Sequence, residues 1–327
     1  MQTRGRLTEA CAFAPAIFAD ETDLIVSSAQ ATSTGMAIVS MGETGGPPRF
    51  VIKMPMTPQA EEGLRRETVV LATLHADERL GDWRQLIPRP ITEGTAGRWV
   101  YRVDAALAGA PAADGVAGEG TRGPLPEIAA ETIHFMHRAT TRIVHGNRAL
   151  AERWVDARLH DLWPHGVGRG WLRSRCARLR DELHGAVLGR SLGTSWVHGD
   201  FWLGNLLLSQ QDGSIRGIVD WDAASPGELA VHDVMHLLLY TRRMATGQEL
   251  GLIVRNQLRE PAWRDDELAL LERYGAWCHD GALSDRHALL LYWLRQVAAH
   301  ARQQSGRGGP RYRLWERRNV RRVLAEL

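Results

Sequence analysis

Three side chains bearing oxygen donors stand close together in the middle of this 327-residue chain. Asp200 and Asn205 lie five apart in Trp196-Val197-His198-Gly199-Asp200-Phe201-Trp202-Leu203-Gly204-Asn205, and Asp220 ends the apolar run Ile218-Val219. Between them, Gln210-Gln211-Asp212-Gly213 reads as a turn, because Asp-Gly flanked by two apolar runs signals a hairpin. Such a hairpin folds the strand that begins at Asn205 back beside the one that ends at Asp220, so the two side chains converge. An amide oxygen and a carboxylate oxygen at one point suit Mg²⁺, a hard cation that takes a few protein oxygens and completes its shell with phosphate and water. Asp200, on the loop before the hairpin, is then available to orient a hydroxyl and accept its proton. A metal on the phosphates, a positioning base and a cation for the α- and β-phosphates are most of what phosphoryl transfer needs.

The cation comes from the first hundred residues. Of the 40 Lys+Arg residues a single one, Lys53, is a lysine. It is either a chance survivor of a strong arginine bias or a position that needs a compact ammonium instead of a planar guanidinium. It ends the strand-like run Arg49-Phe50-Val51-Ile52-Lys53. Glu67, on the helix that follows, is placed to hold it by an ion pair. Glu61 and Glu62 compete for that role, but Leu64, Leu71 and Leu74 share a helical face with Glu67 beside them, which favours Glu67.

The elements that must position these residues follow from pattern. Residues 24–26, 36–41, 49–54 and 99–103 read as strands, and 59–75 as a helix. A Gly-, Ala- and Pro-rich stretch over 111–126 reads as a linker. Helices are expected over 126–145, 148–162, 170–188, 231–243, 265–279 and 285–303. One β-like island, 196–209 with 214–220, holds the hairpin. The expectation is an α+β fold: a β-rich lobe over 1–104 with one key helix, a hinge at 105–110, and a mainly helical lobe over 111–327 carrying the hairpin.

The motif His198-Gly199-Asp200-x-x-x-x-Asn205 resembles the catalytic loop of aminoglycoside phosphotransferases and choline kinases, a variant of the protein-kinase HRDxxxxN loop. Asp220 falls where these families place a metal-binding aspartate, and Phe50-Val51-Ile52-Lys53 is similar to the kinase V-A-I-K strand. The resemblance implies a bilobal protein-kinase-like fold and a small-molecule kinase using ATP and Mg²⁺. It implies Asp200 as base and Asn205, Asp220 and Asp222 at the metal. It also implies Lys53, Glu67, Ala105 and Leu107 around the nucleotide, with His198 and Asp233 as structural support. Asp233 stands in Pro226-Gly227-Glu228-Leu229-Ala230-Val231-His232-Asp233, which is similar to a segment bracing the catalytic loop from behind. Ile133-His134-Phe135-Met136-His137-Arg138-Ala139-Thr140 looks like the family's preceding helix and reads as packing. Two features depart from the pattern. The stretch expected to cover the phosphates has no glycine between Ser27 and Thr34. Backbone amides and the hydroxyls of Ser28, Thr32, Ser33 and Thr34 would cradle phosphates there, with Gly35 relieving the exit; an ordinary polar turn is the alternative. Asp222 is an extra acid that either helps a second Mg²⁺ or caps the next loop.

Composition bounds the partners. The formal charge is +2, which favours neither nucleic acid nor a membrane surface. No apolar run approaches the ~20 residues of a membrane span. Arg4 and Arg6 precede a mostly apolar stretch, but Glu9 and Pro15 interrupt it, against a secretory signal. Cys11, Cys176 and Cys278 form no CxxC pair and fit a reducing cytoplasm. His75, His145, His160, His165 and His184 have no zinc-ligand spacing.

Only ten residues separate Asp220 from the next expected helix, too few for the peptide platform of a protein kinase. The acceptor is therefore expected to be a small molecule bound among the C-terminal helices, where Trp263, Trp277, Trp293 and Trp315 serve either stacking or the core. That region is rich in arginine (Arg307, Arg311, Arg313, Arg317, Arg318, Arg321, Arg322). A polycationic aminoglycoside would want acids, so a sugar, an amino sugar or another metabolite is favoured. The intact Lys53, Asp200, Asn205 and Asp220 set argues against a regulatory pseudokinase, which remains the alternative. A metal phosphoesterase lacks its upstream D-x-H pair. The sequence is silent on oligomeric state.

Overall fold

The computed structural model describes residues 2–18, 23–112, 125–164, 166, 170–274, 283–304 and 309–327. Most of the expected linker, His165, Trp277, Cys278, the end of the helix expected to reach residue 279, and Arg307 lie outside them. The chain divides into two compact units. One takes Met1–Ala117 with Gly204–Ala224, and the other takes Gly118–Leu203 with Ser225–Leu327. The hairpin expected in the helical lobe is thus counted, by compactness, with the β-rich unit.

In the first unit, strands β1 (Ile25–Ala31), β2 (Met36–Gly42), β3 (Pro48–Pro55), β4 (Arg89–Ala96) and β5 (Trp99–Ala105) form an antiparallel sheet of order β1-β2-β3-β5-β4. The strand expected over 24–26 runs on through the polar stretch to Ala31, because β2 supplies its partners from Ile25↔Gly42 to Ala31↔Ala37. Strand β4 carries too few apolar residues to be read from sequence, and it forms by adding to β5. Helix α1 (Gln2–Phe13) and the turn Ala14–Phe18 cover one face of the sheet. Ala10 and Ala14 are fully buried there against Val39, Met41, Ile52 and Met54. Phe18 stacks on Phe50 at 4.8 Å. A fully buried Ile or Met contributes about 1.5–3 kcal/mol, so this cluster holds the lobe together.

Helix α2 (Pro58–Ala76) packs near Met36 and Ile38 through Ala60 and Leu64. Thr57 caps it by accepting from Ala60 N at 3.1 Å, with Pro58 in the first turn where no amide partner is needed. Its buried residues, Ala60, Gly63, Leu64, Glu67, Val70, Leu71 and Leu74, keep 3.6-residue spacing, and Glu67 sits among them. The short strand β6 (Ala110–Pro111) joins the hairpin strands β9 (Leu206–Leu208) and β10 (Ile215–Ile218) in the order β10-β9-β6.

The second unit is built on helices α3 (Leu125–Thr140), α4 (Arg148–Ala151) leading through a π-turn (Glu152–Asp156) into α5 (Ala157–Leu162), and α6 (Trp171–Val187). There follow α7 (Val231–Thr246), α8 (Leu250–Arg259), α9 (Asp265–Tyr274), α10 (Asp285–Gln303), α11 (Pro310–Glu316) and α12 (Arg322–Leu324). A small sheet of order β11-β8-β7 comprises β7 (Arg142–His145), β8 (Ser191–Val197) and β11 (Ser225–Glu228). The helix expected to run to residue 145 stops at Thr140. The β-branched Ile143 and Val144 go instead into β7, where β8 offers an edge. Helix α10 is buried on nearly every side, from Ala288 to Ala301, and forms the spine of this unit.

Thr57→Ala is expected to cost about 1 kcal/mol in denaturant unfolding, the usual worth of an N-cap, whereas Thr57→Ser retains most of it. Equal stability of wild type and Thr57→Ala would show that α2 does not depend on this cap.

Candidate active site

Within the first unit, the expected pair Lys53–Glu67 is formed. Lys53 Nζ donates to both carboxylate oxygens of Glu67 at 2.7 Å, and both residues are buried. Glu61 and Glu62 instead face outward toward Arg65 and Arg66. A second cation completes the cluster. Arg102 Nη2 donates to Glu67 Oε2 at 2.8 Å, and Arg102 also binds Asp104 through Nε and Nη2, each at 2.8 Å. Lys53 and Arg102 are direct partners across β3 and β5, so both point to the same face. Burial opposes the Glu67 charge, but the Lys53 ammonium and the Arg102 guanidinium outweigh it and hold the carboxyl down at about 2. Burial likewise works against the Lys53 charge, yet Glu67 and Asp220 raise its pKa above the ordinary value. Arg102 and Asp104 were missed by sequence reasoning. The signal was present: in Trp99-Val100-Tyr101-Arg102-Val103-Asp104 the even positions put two charges on one face of a strand.

The hairpin carries the metal candidates. Asn205 is buried, and its backbone oxygen accepts from Val219 N at 2.9 Å, which locks the two strand ends together. Asp220 has φ 70° and is the one non-glycine residue with positive φ among the described residues. The next amide, Trp221 N, donates to Glu67 Oε1 at 3.2 Å, so the residue after Asp220 is tied to the Lys53 cluster. Asp222 is turned toward α2, with Oδ2 3.9 Å from Arg66 Nη2 and close against Gly63. Among the described residues no three His, Cys, Asp or Glu side chains form a metal-holding group. One amide and one carboxylate suit a Mg²⁺ whose remaining ligands are phosphate and water.

Within the second unit, the loop after β8 is held from several sides. Asp233, fully buried at the start of α7, accepts from Gly199 N through Oδ1 and from His198 N through Oδ2, both at 2.8 Å. Its Oδ2 also lies 2.9 Å from His137 Nε2, which gives α3 a polar role that its sequence suggested only as packing. Gly199 adopts φ 84°, as the turn requires. The Gly199 carbonyl accepts from Arg295 Nη1 at 3.0 Å and Gln296 Nε2 at 2.9 Å, both on α10. The fully buried His198 ring accepts from Asp200 N at 3.3 Å. The Asp200 carboxylate is 39% exposed, with Oδ1 2.9 Å from His236 Nε2, and His236 Nδ1 lies 3.0 Å from Tyr292 Oη. His236, Tyr292, Arg295 and Gln296 were not singled out from sequence, since nothing local distinguishes them from core residues of α7 and α10.

The remaining candidates separate. Thr32 and Thr34 form a tight β1–β2 turn in which their hydroxyls bond each other at 2.8 Å, and Met36 N donates to Thr32 Oγ1. Ser28 is exposed on β1 and Ser33 lies in the turn. Gly35 has φ 88°, and a Cβ there would fall 2.6 Å from Thr57 Cγ2. Ala105 ends β5, and Leu107 packs on Gly217 of the hairpin. These two line a cavity of about 360 Å³ with His75, Arg84 and Ile87, while Lys53 does not. Trp293 is a core residue that donates to Asn319 O; Trp315 stacks on His300 and Trp263 on Arg242. Cys11 and Cys176 are free thiols. No described helix is long and apolar enough to cross a membrane.

The buried Lys–Glu pair lies in one unit with the Asn/Asp hairpin, and the Asp200 loop precedes that hairpin in the chain. The model of the phosphotransferase enzyme family matches residues 41–267, and the chain belongs to that family. It is a phosphotransferase. Its fold is that of the ADP-bound aminoglycoside phosphotransferase APH(2'')-Ib, with TM-score 0.54 and 11% identity over 96% of this chain and 97% of that one. It is also that of aminoglycoside phosphotransferase APH(3'')-Id from Streptomyces rimosus, with TM-score 0.52 and 16% identity over 88% and 97%. At these identities the likeness concerns the fold. Among curated proteins no relative matches the sequence.

Burial opposes the Asp233 charge, but its bond to His137 and the amide of Gly199 prevail and bring the carboxyl from 3.8 to about 2. A depressed carboxyl contributes stability that is present above the unfolded value and lost as pH falls through the folded one. Wild type should therefore lose roughly 2–3 kcal/mol between about pH 4 and about pH 2 on this account. In Asp233→Asn that component is expected to vanish and neutral-pH stability to fall by a similar amount. Denaturant titrations at each pH would measure it, and an unchanged acid profile would refute this role.

Proposed function

We propose that the protein is an ATP-dependent kinase that transfers the γ-phosphoryl group to a hydroxyl of a small molecule, with Asp200 as the base. The observation that carries the reading is the loop His198-Gly199-Asp200, fixed at both its amides and its carbonyl, which leaves the Asp200 carboxylate partly open beside His236. A group held this firmly spends little orientation entropy when an acceptor hydroxyl arrives. Asp200 takes that hydroxyl's proton as the oxygen bonds to the γ-phosphorus and the bond from phosphorus to the ADP oxygen breaks. Lys53 places an ammonium on the α- and β-phosphates, and Glu67 and Arg102 fix its position.

Asn205 and Asp220 supply the oxygens for Mg²⁺, which when bound would neutralise phosphate charge. Asp222, drawn toward Arg66, acts mainly in holding its turn to α2. The turn over Thr32 and Thr34 covers the phosphates through its backbone amides, and Ala105 and Leu107 bound the base. An ATP-rich reducing compartment, the cytoplasm, suits the free thiols of Cys11 and Cys176. The relatives with bound nucleotide and streptomycin support a nucleotide and a small-molecule acceptor for this chain.

Asp200→Asn is expected to lower turnover by about 10²–10⁴-fold while ATP binding stays near wild type, because the base acts in the chemical step. The assay combines Mg·ATP with pooled sugars, amino sugars, amino alcohols and aminoglycosides, followed by mass spectrometry of the products. Undiminished transfer in the variant would remove Asp200 from the role. ATP binding with no Asp200-dependent product from any acceptor would favour the pseudokinase reading.

Lys53→Arg should fail to restore what Lys53→Ala loses in nucleotide affinity and turnover. Full activity of Lys53→Arg would show that the lone lysine is a chance retention.

A further inference from the structure

Helix α7 carries a second feature along the face that meets Asp200. His236, Tyr240 and Arg243 recur at i, i+4 and i+7 and so lie in one line. The contacts follow that line. His236 touches Asp200 Oδ1 at 2.9 Å, and its ring stacks on Tyr240 at 5.2 Å with an interplanar angle of 29°. Trp202, two residues beyond Asp200, packs on Tyr240 at 4.7 Å, and the Arg243 guanidinium lies 5.1 Å from the centre of the Tyr240 ring.

The two adjacent arginines differ in one respect. Arg242 donates to Glu267 and to the carbonyl of Ala262, so its charge is matched. Arg243 is half-buried and has no carboxylate within ion-pairing distance among the described residues. Glu249, an acid whose charge reaches nearby His300 as that of Arg243 does, is engaged by Arg318 and Asn319.

We propose that this line is the acceptor subsite, and that the acceptor is a hydroxylated ring compound bearing an anionic oxygen group, a carboxylate or a phosphate. The proposal rests on the reading of Asp200 as base. Trp202 and Tyr240 are half-buried against each other, and the aromatic surface they leave open suits the C–H face of a sugar-like ring. A guanidinium stacked on Tyr240 is pre-oriented for two parallel hydrogen bonds to an anion. Seven helical residues rise about 10 Å, and a hydrogen bond of about 2.8 Å at either end leaves about the length of one sugar ring between the reacting hydroxyl and the anion. A polycation placed on the same line would meet Arg243, which no described carboxylate pairs with.

The test uses the full chain with Mg·ATP and matched acceptors: neutral monosaccharides of several configurations, their uronic acids, their terminal phosphates, and a polycationic aminoglycoside. The acid or phosphate member of a pair should exceed its neutral parent at least tenfold in kcat/KM, and comparison of the two anionic arms tells which group is read. Arg243→Gln should lower that ratio about tenfold, Arg243→Glu should invert it, and Arg243→Lys should fall between.

A neutral parent equal to its anionic partners, an aminoglycoside preferred over all of them, or a ratio that survives Arg243→Glu would overturn the proposal. Where no member is phosphorylated, calorimetric binding of the same pairs to the Mg·ADP complex decides, and failure of every anionic member to bind overturns it. Transfer that persists in Asp200→Asn would remove the base assignment alone, because the Arg243 ratio is judged separately.

Discussion

A carboxylate withdrawn from water is the constraint around which the first unit is organised. Burying an isolated Glu67 would cost several kcal/mol, and the cost is tolerable only with charges supplied in fixed geometry. Sheet register provides them, since Lys53 and Arg102 face each other across β3 and β5; Lys53 reaches both oxygens and Arg102 reaches Oε2. Asp104, two residues along the same face, balances the second cation. Because Glu67 also accepts from Trp221 N, one anchor fixes both the Lys53 ammonium and the turn that presents Asp220. Loss of Glu67 would therefore disturb two functions, leaving two buried cations with one remaining carboxylate between them.

The second unit solves a different problem, that of buried backbone groups in a turn. The peptide groups around Gly199 leave the ladder of β8 and find no strand or helix partners. Their donors go to Asp233 and their carbonyl to Arg295 and Gln296. Unmet backbone groups in such a place would cost about 1–3 kcal/mol each. Helices α3, α7 and α10 each contribute one side chain or more, which explains why the helical packing of this unit converges on a loop of three residues.

What could be read from the sequence was what is locally encoded. Asp212-Gly213 marks the hairpin, the leucines of α2 select Glu67 over its neighbours, and the helix expected over 285–303 is α10 (Asp285–Gln303). The family follows from a contiguous motif. The missed parts depend on partners distant in the chain. The polar stretch after Val26 is a strand because β2 pairs with it, and residues 142–145 are a strand because β8 is beside them. Helix α1 lacks an apolar face of its own and is held by the alanines and aromatics it presents to the sheet. His236 and Arg295 look like ordinary helix residues until α7 and α10 bring them to Asp200 and Gly199.

The two cations on Glu67 show why side-chain type matters there. Arg102 uses its planar fork for fixed bonds to Asp104, Glu67 and Thr68, and every nitrogen of the guanidinium is engaged. Such a group can brace a cluster, but it is held in one plane by four bonds and cannot swing toward another partner. The Lys53 ammonium has three rotatable donors and gives two short bonds to Glu67, within the field of Asp220. Under the proposed function its compact head would keep the carboxylate satisfied and still aim a proton at a phosphate oxygen, which a second guanidinium in the same space could not do. In a chain that otherwise carries every positive side-chain charge on arginine, that division of labour would account for lysine at position 53.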